Sequence, residues 1–378
     1  MITQAVVLVG GLGTRLGALT KETPKPLLEV GGQPFLYWLL RELRRHGVSD
    51  VLLLAGFRAE RLQSLSEAFL GVRLVVEPEP LGTGGALRHA ADLLDERFFF
   101  LNGDSFFDVN LWALALDSDQ GLATLALRPV ENVSRYGPAV LEGDRIVRFA
   151  ERPETDGPGL INGGVAVLSR AILNYLPAAG PASIERQVYP RLAKQGLLRG
   201  KAYERPFIDI GVPEDFAQAQ DFIPNQTRRG AVVFEYDSVL KVEDVHQSER
   251  TQWVTGAIAA IRAVNDAGLF AFVAADPGGA TLGPGDEAAC DARHVWMNAQ
   301  LKAQGAHIDA FACSSHPSMI MRLLEQFPVI RERVVMVGDQ PTTPAAAEAA
   351  GIPGVRFEGA DLEDFLRPWI VRLAALEA

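Results

Sequence analysis

The chain has 378 residues and a net charge of −11, from 36 Lys and Arg against 47 Asp and Glu. At about 150 residues per domain this length suggests two domains, and 48% hydrophobic with 22% charged content excludes a disordered or collagen-like chain. The charge has the wrong sign for a nucleic-acid partner, the two cysteines exclude a disulfide framework or a four-cysteine zinc site, and an anionic small substrate would need a local cluster of Arg, Lys or a divalent cation.

From the first residue, apolar β-rich runs alternate with helical patterns. AVVLVG is followed by a helix around FLYWLLRELRRHG, then DVLLLAG, a helix over RLQSLSEAFL, then VRLVVEP and FFFLNGD. Strands that are apolar throughout are buried on both faces, which predicts an α/β fold with a mainly parallel sheet covered by helices. LATLALRPV, GPAVLEGDRIVRFAERP and LINGGVAVLS then predict antiparallel strands and a glycine-containing hairpin added to that sheet. DFIPNQTRRG breaks the rhythm and is the expected linker, which divides the chain into residues 1–226 and 227–378. The rhythm restarts with AVVFEYDSVL, a helix around TGAIAAIRAVNDAG, the strand LFAFVAA, a helix from about His294, then RVVMVGD and a helix over PAAAEAAG, a second and smaller α/β unit. The start lacks the charge pattern of a signal peptide, and no apolar run approaches the roughly 20 residues of a membrane helix. A cytoplasmic protein with no membrane partner is the expectation; a helical face of the second unit could make a homo-oligomer, although nothing in the sequence requires one.

The most informative segment is GGLGTRLGALTKETPKPLLEVGG, Gly10 to Gly32, directly after a buried strand. Ligands bind at the carboxyl ends of such strands. Gly10, Gly11 and Gly13 would let backbone amides approach a phosphate, Arg15 adds a forked cation, and Lys25 is a second cation held between Pro24 and Pro26. Asp104 and Asp209 each end a short apolar run, FFFLNGD and FIDIG, and as a pair they suggest ligands for one hard divalent cation, Mg²⁺.

GGxGTRL followed by TxxxPKPL resembles the start of the sugar-1-phosphate nucleotidyltransferases, and the resemblance covers residues 1 to 223. It implies a Rossmann-like fold in which Gly10, Gly11, Gly13, Thr14 and Arg15 hold the triphosphate, Lys25 contacts phosphates at the reacting centre, and Asp104 and Asp209 hold the metal. The loop EPLGTGGALRHA, with Glu77 just before it and Gly82 and Thr83 within it, is where such enzymes read the base; its form is similar to that of guanylyltransferases acting on mannose or heptose phosphates, which favours GTP. Gly137, Glu151, Asn162 and Gly163 are implied as sugar contacts, with Arg152 standing where the family carries lysine. The expected reaction joins GMP to a sugar 1-phosphate, D-glycero-D-manno-heptose 1-phosphate being the first choice and mannose 1-phosphate the alternative.

In the second half, VVFEYDSVL resembles the first motif of the haloacid dehalogenase superfamily, and His294 to Pro317 with RVVMVGDQPTTP is similar to its heptose 1,7-bisphosphate phosphatases. The implied nucleophile position holds Glu235, the acid–base position Asp237, and a later metal position Asp339. The departures are several: Glu235 replaces aspartate, Thr343 stands where a second aspartate is expected, and the zinc loop and phosphate-binding lysine are missing after Cys313, His316 and Pro317. This half is therefore expected to be catalytically inactive. Two rivals are a bifunctional enzyme with residual phosphatase activity and a nucleotide-sugar sensor that binds without turnover.

Overall fold

A computed structural model of the chain describes residues 2–375 except 12, 135–136, 151–155, 243–250, 275–285 and 313–315. It contains two compact units, Met1–Asn225 and Gln226–Ala378.

The first unit is built on a nine-stranded mixed sheet. Val72–Val76, Asp50–Ala55, Gln4–Leu8 and Arg97–Asn102 lie side by side and parallel. Gly159–Ser169 then runs antiparallel to Arg97–Asn102, followed by Ala123–Val130, Leu198–Ala202, Arg145–Phe149 and Pro138–Glu142. Alternation along the central strands explains their unbroken apolar character. Ala5 and Val7 face one buried cluster with Leu53, Phe99 and Leu101, while Val6 faces the other with Leu52, Phe98 and Phe100. Both faces of the sheet are thus interior, as the apolar runs imply.

The chain moves outward from Gln4–Leu8 through Asp50–Ala55 to Val72–Val76, then crosses back to Arg97–Asn102 on the other flank of the first strand. That reversal opens a crevice at the carboxyl ends of Gln4–Leu8 and Arg97–Asn102. The segments following these two strands, Val9–Arg15 and Gly103–Asp104, are delivered to it by topology.

The segment expected to be a linker is helical instead. Pro213–Thr227 is one helix with Pro224 inside it, and only Arg228 separates it from the Arg229–Glu235 strand. A side chain at Gly31 would collide with the Pro224 ring, so tertiary packing on Gly31 holds a residue that by itself breaks helices.

The second unit is a five-stranded, wholly parallel sheet in the order Ala310–Ala312, Phe270–Ala274, Arg229–Glu235, Val329–Gly338, Gly354–Arg356. Its helices include Ala257–Asp266, Pro317–Gln326 and Leu362–Ala374. The helix expected from about His294 begins earlier, at Asp286. Strand order reverses at Arg229–Glu235, placing Glu235 and Asp339 at the carboxyl ends of adjacent strands. Among the described residues, no helix is long and apolar enough to cross a membrane.

Candidate active site

The loop after Gln4–Leu8 is shaped by its glycines. Gly13 has φ +61, the left-handed region where glycine carries no steric penalty, and starts a stretch of tight helical turns over Thr14–Thr20. The Thr20 hydroxyl donates to the Gly13 carbonyl at 3.0 Å and closes the loop on itself. A Cβ on Gly11 would meet nothing within 4 Å, so this residue borders open space. Thr14 and Arg15 are exposed. Pro24, at φ −53 and ψ 139, sets the entry to the single turn Lys25–Leu27 and carries Lys25 inward, where only 6% of it is exposed.

Lys25 Nζ donates to Asp104 Oδ2 at 2.6 Å and lies 3.9 Å from Asp209 Oδ1. The two carboxylates come together because Phe207–Asp209 pairs antiparallel with Ser105–Phe107, which sets Asp209 opposite Ser105. The Ser105 hydroxyl lies 3.2 Å from Asp209 Oδ2 and 3.3 Å from Asp104 Oδ1 and can donate to either. The Gly211 amide donates to Asp209 Oδ1 at 2.6 Å. Burial, followed by repulsion from Asp104, pushes the Asp209 carboxyl up to about 6 against the pull of Lys25. Two carboxylates squeezed together in a partly dry site, with one lysine between them, fit a divalent cation completed by phosphate oxygens, since Mg²⁺ is commonly held by one or two carboxylates plus substrate phosphates. Among the described residues no cluster of three or more His, Cys, Asp or Glu could enclose a metal without such outside ligands.

Lys25, Asp104 and Gly211 border one cleft of about 440 Å³, whose lining also includes Gly11, Gly13, Thr14, Arg15 and Thr83 but not Asp209. Gly10, Glu77 and Gly82 are outside that lining. Glu77 Oε2 accepts from the Leu81 amide at 3.1 Å, and burial raises the carboxyl of Glu77 against the effect of that bond and of His89. Gly82 has φ +70, and a Cβ there would come within 2.6 Å of the Ala182 carbonyl. Of the expected sugar contacts, Asn162 Oδ1 accepts from the Gly164 amide at 3.1 Å, beside a register shift in the sheet. A Cβ on Gly163 would overlap the Phe107 ring. Gly137 immediately precedes the Pro138–Glu142 strand, and Glu151 lies outside the described residues.

Among the cleft residues not anticipated as site residues from sequence are Gly211, Asn102 and Glu185. Gly211 follows Asp209 in FIDIG, and a Cβ there would stand 2.5 Å from Asp209 Oδ1, 3.3 Å from an Arg15 nitrogen and 3.4 Å from Lys25 Nζ. The glycine two residues after the expected metal ligand was the available signal. Asn102 and Glu185 also border the cleft. Glu185 belongs to no glycine-rich or strand-end pattern, and nothing local marks it.

In the second unit, Glu235 Oε2 accepts from the fully buried Thr343 hydroxyl at 2.5 Å. Asp339 Oδ1 accepts at 3.0 Å from the side-chain Nε2 of its neighbour Gln340. The side chain of Asp237 lies outside the described residues, as does Cys313.

The family model described as nucleotidyl transferase matches residues 4–226. The chain belongs to the nucleotidyl transferase family. Its first unit is similar to a D-glycero-alpha-D-manno-heptose 1-phosphate guanylyltransferase of Campylobacter jejuni, 36% identical over 219 residues, which cover 56% of this chain and 96% of that one. It is also similar to the mannose-1-phosphate guanylyltransferase catalytic subunit beta of Danio rerio, 37% identical over 225 residues, covering 56% of this chain and 62% of the relative. Among solved structures, HddC from Yersinia pseudotuberculosis complexed with GMP-PN matches with a TM-score of 0.52 and 30% identity, over 58% of this chain and 99% of that one. Arg15, Lys25, Asp104 and Asp209 gather at the strand-order reversal, the place where open α/β sheets bind ligands.

Proposed function

We propose that the chain transfers GMP from GTP to a sugar 1-phosphate, D-glycero-D-manno-heptose 1-phosphate before mannose 1-phosphate, releasing pyrophosphate. The observation that carries this is the convergence of Lys25 on Asp104 and Asp209 beside Arg15. The likeness to a heptose 1-phosphate guanylyltransferase, matched over nearly its whole length, supports the choice of base and sugar.

A phosphate monoester has its second pKa at about 6, so at neutral pH the sugar phosphate is already largely a dianionic nucleophile. Its oxygen attacks the α-phosphorus of GTP, a new P–O bond forms, and the bond to the bridging oxygen breaks as pyrophosphate leaves with the electron pair. No general base is required, and the site has only to align the reactants and offset developing charge. Gly11, Gly13 and Thr14 offer backbone approach to the phosphates, Arg15 a forked cation on the leaving side, and Lys25 a cation at the reacting centre. Asp104 and Asp209 would hold Mg²⁺, which when bound neutralises phosphate charge. Without it, Lys25 offsets the two carboxylates.

For the second unit we propose a haloacid dehalogenase-like domain without phosphatase activity. Glu235 stands where a nucleophile would be needed, and its carboxylate is engaged by Thr343. The test uses the full chain with Mg²⁺, each nucleoside triphosphate in turn, glucose, mannose and heptose 1-phosphates, and heptose 1,7-bisphosphate, with pyrophosphate and phosphate followed separately. Pyrophosphate with GTP and one sugar, and no free phosphate, supports both readings. Free phosphate from the bisphosphate would favour a bifunctional enzyme, and nucleotide binding without pyrophosphate would favour a sensor.

A further inference from the structure

The Thr83 hydroxyl donates to Glu185 Oε2 at 2.7 Å, across 102 residues of sequence, and accepts from the Ile184 amide at 3.0 Å. The Ser183 hydroxyl donates to the same carboxylate oxygen at 2.9 Å. Both side chains border the cleft that holds Arg15, Lys25 and Asp104. A hydroxyl has one proton and two lone pairs. With its proton committed to Glu185 and one lone pair to Ile184, Thr83 has only an acceptor site left. Glu185 has its second oxygen, Oε1, to which no described residue donates a hydrogen bond. These two side chains therefore present acceptors alone.

Acceptors, one of them anionic, repel phosphate oxygens. In a cleft that also gathers Arg15, Lys25 and backbone amides for a polyanion, such a wall suits the N–H or O–H groups of the ligand and not its phosphate oxygens. Its place in the fold selects which part. Thr83 lies in the first turn of Gly82–His89, the helix reached from the Val72–Val76 edge strand through Glu77, whose carboxylate accepts from Leu81. That helix is joined to the Glu185 segment by the Ala182 amide donating to the Leu81 carbonyl and the Gly84 amide donating to the Ala182 carbonyl, both at 2.8 Å. Asn162 belongs to Gly159–Ser169, on the far side of Arg97–Asn102 from these elements in the sheet. The phosphate-binding loop after Gln4–Leu8 stands between, so the Thr83 wall faces the nucleoside end and the opposite flank is left for the acceptor.

We propose that Thr83 and Glu185 accept hydrogen bonds from the nucleoside part of the triphosphate, which makes Glu185 a specificity-determining residue. This rests on the nucleotidyl-transfer reading above. The donors are base N–H groups, of which guanine presents two adjacent ones at N1 and N2, or ribose hydroxyls.

The test compares wild type with Glu185→Gln and Thr83→Val, each first shown to melt cooperatively. Steady-state constants are measured for GTP, inosine triphosphate, 2′-deoxy-GTP and the sugar 1-phosphate, together with GTP binding by calorimetry. In Glu185→Gln the amide oxygen can still accept from Thr83 and Ser183, but an NH₂ group then replaces Oε1 and meets the ligand donors. KM and Kd for GTP should rise about 10- to 100-fold, the loss expected for a hydrogen bond to a charged group. Values of kcat and of KM for the sugar phosphate should stay within about threefold of wild type. If base N–H groups are read, the penalty shrinks with inosine triphosphate; if the ribose 2′-hydroxyl is read, it shrinks with 2′-deoxy-GTP. Thr83→Val, which takes away the hydroxyl that orients Glu185, should move KM for GTP in the same direction. The inference is overturned if GTP binding is unchanged in both variants, or if KM for the sugar phosphate rises instead. A wild type that yields no pyrophosphate with any pair, while Glu185→Gln still weakens GTP binding, would sink the transfer reading and leave this one standing.

Discussion

Replacing Asp209 with asparagine should make the metal-free protein more stable while abolishing nucleotidyl transfer. Asp209 sits with its side chain 21% exposed, beside Asp104 and 3.9 Å from Lys25, and its carboxyl is raised from 3.8 to about 6. The folded state thus holds this proton more tightly than the unfolded chain does. Between about pH 4 and 6 the folded protein is the better proton binder, so this group's contribution to stability falls as pH rises through that window, and the full cost is present above it. At roughly 1.36 kcal/mol for each tenfold change in proton affinity, the cost at pH 8 is about 3 kcal/mol, with the attraction of Lys25 already counted. Asparagine removes the charge and keeps an oxygen for the Gly211 amide. A unit of this size gains about 2–4 °C per kcal/mol, so Asp209→Asn in EDTA at pH 8 should melt about 6–12 °C above wild type. Most of the gap should close as the pH falls toward about 4, where Asp209 is neutral in the folded state and partly protonated in the unfolded chain. Calorimetric melts from pH 4.5 to 8 provide the check. A variant that melts at or below wild type at pH 8, or a gap that persists unchanged at pH 4.5, refutes the argument that repulsion and burial act at this carboxylate.

Lys25→Met should cost about 100- to 1,000-fold in kcat, the range for losing one positioned group that stabilises transition-state charge, measured as pyrophosphate release at saturating substrates. Gly211→Ala places a Cβ 2.5 Å from Asp209 Oδ1 and 3.3 Å from Arg15; activity should fall at least about tenfold, since small misplacements at a reacting centre are expensive, and wild-type kcat would show that the approach is not required. Gly163→Ala drives a methyl into the Phe107 ring and should destabilise by about 1–3 kcal/mol, read as a lower denaturation midpoint. In the second unit, Thr343→Val removes the hydroxyl that donates to Glu235 and should cost about 1–3 kcal/mol in the stability of that unit, followed by denaturant unfolding of the full chain.

Much of this protein is determined locally and is legible as such. Strands buried on both faces need unbroken apolar runs, so AVVLVG, DVLLLAG and FFFLNGD announce themselves, and the glycines at 11 and 13 with Lys25 between two prolines mark the loop that the structure places along the cleft. Asp104 and Asp209 are legible for the same reason, because a strand's carboxyl end is a fixed place in an open sheet. What the tertiary structure decided are the encounters between segments distant in sequence. Phe207–Asp209 had to pair with Ser105–Phe107 before two aspartates could share one lysine. The loop holding Ala182 and Glu185 had to close on Thr83 before an isolated glutamate became part of a cleft. Pro224 stayed helical because Gly31 leaves room for its ring, although proline alone argues for a break. Apolar periodicity repeats along the chain and can be read from a short window, whereas a single polar contact leaves no periodic trace, so its partner is known only when the sheet order brings the two segments together.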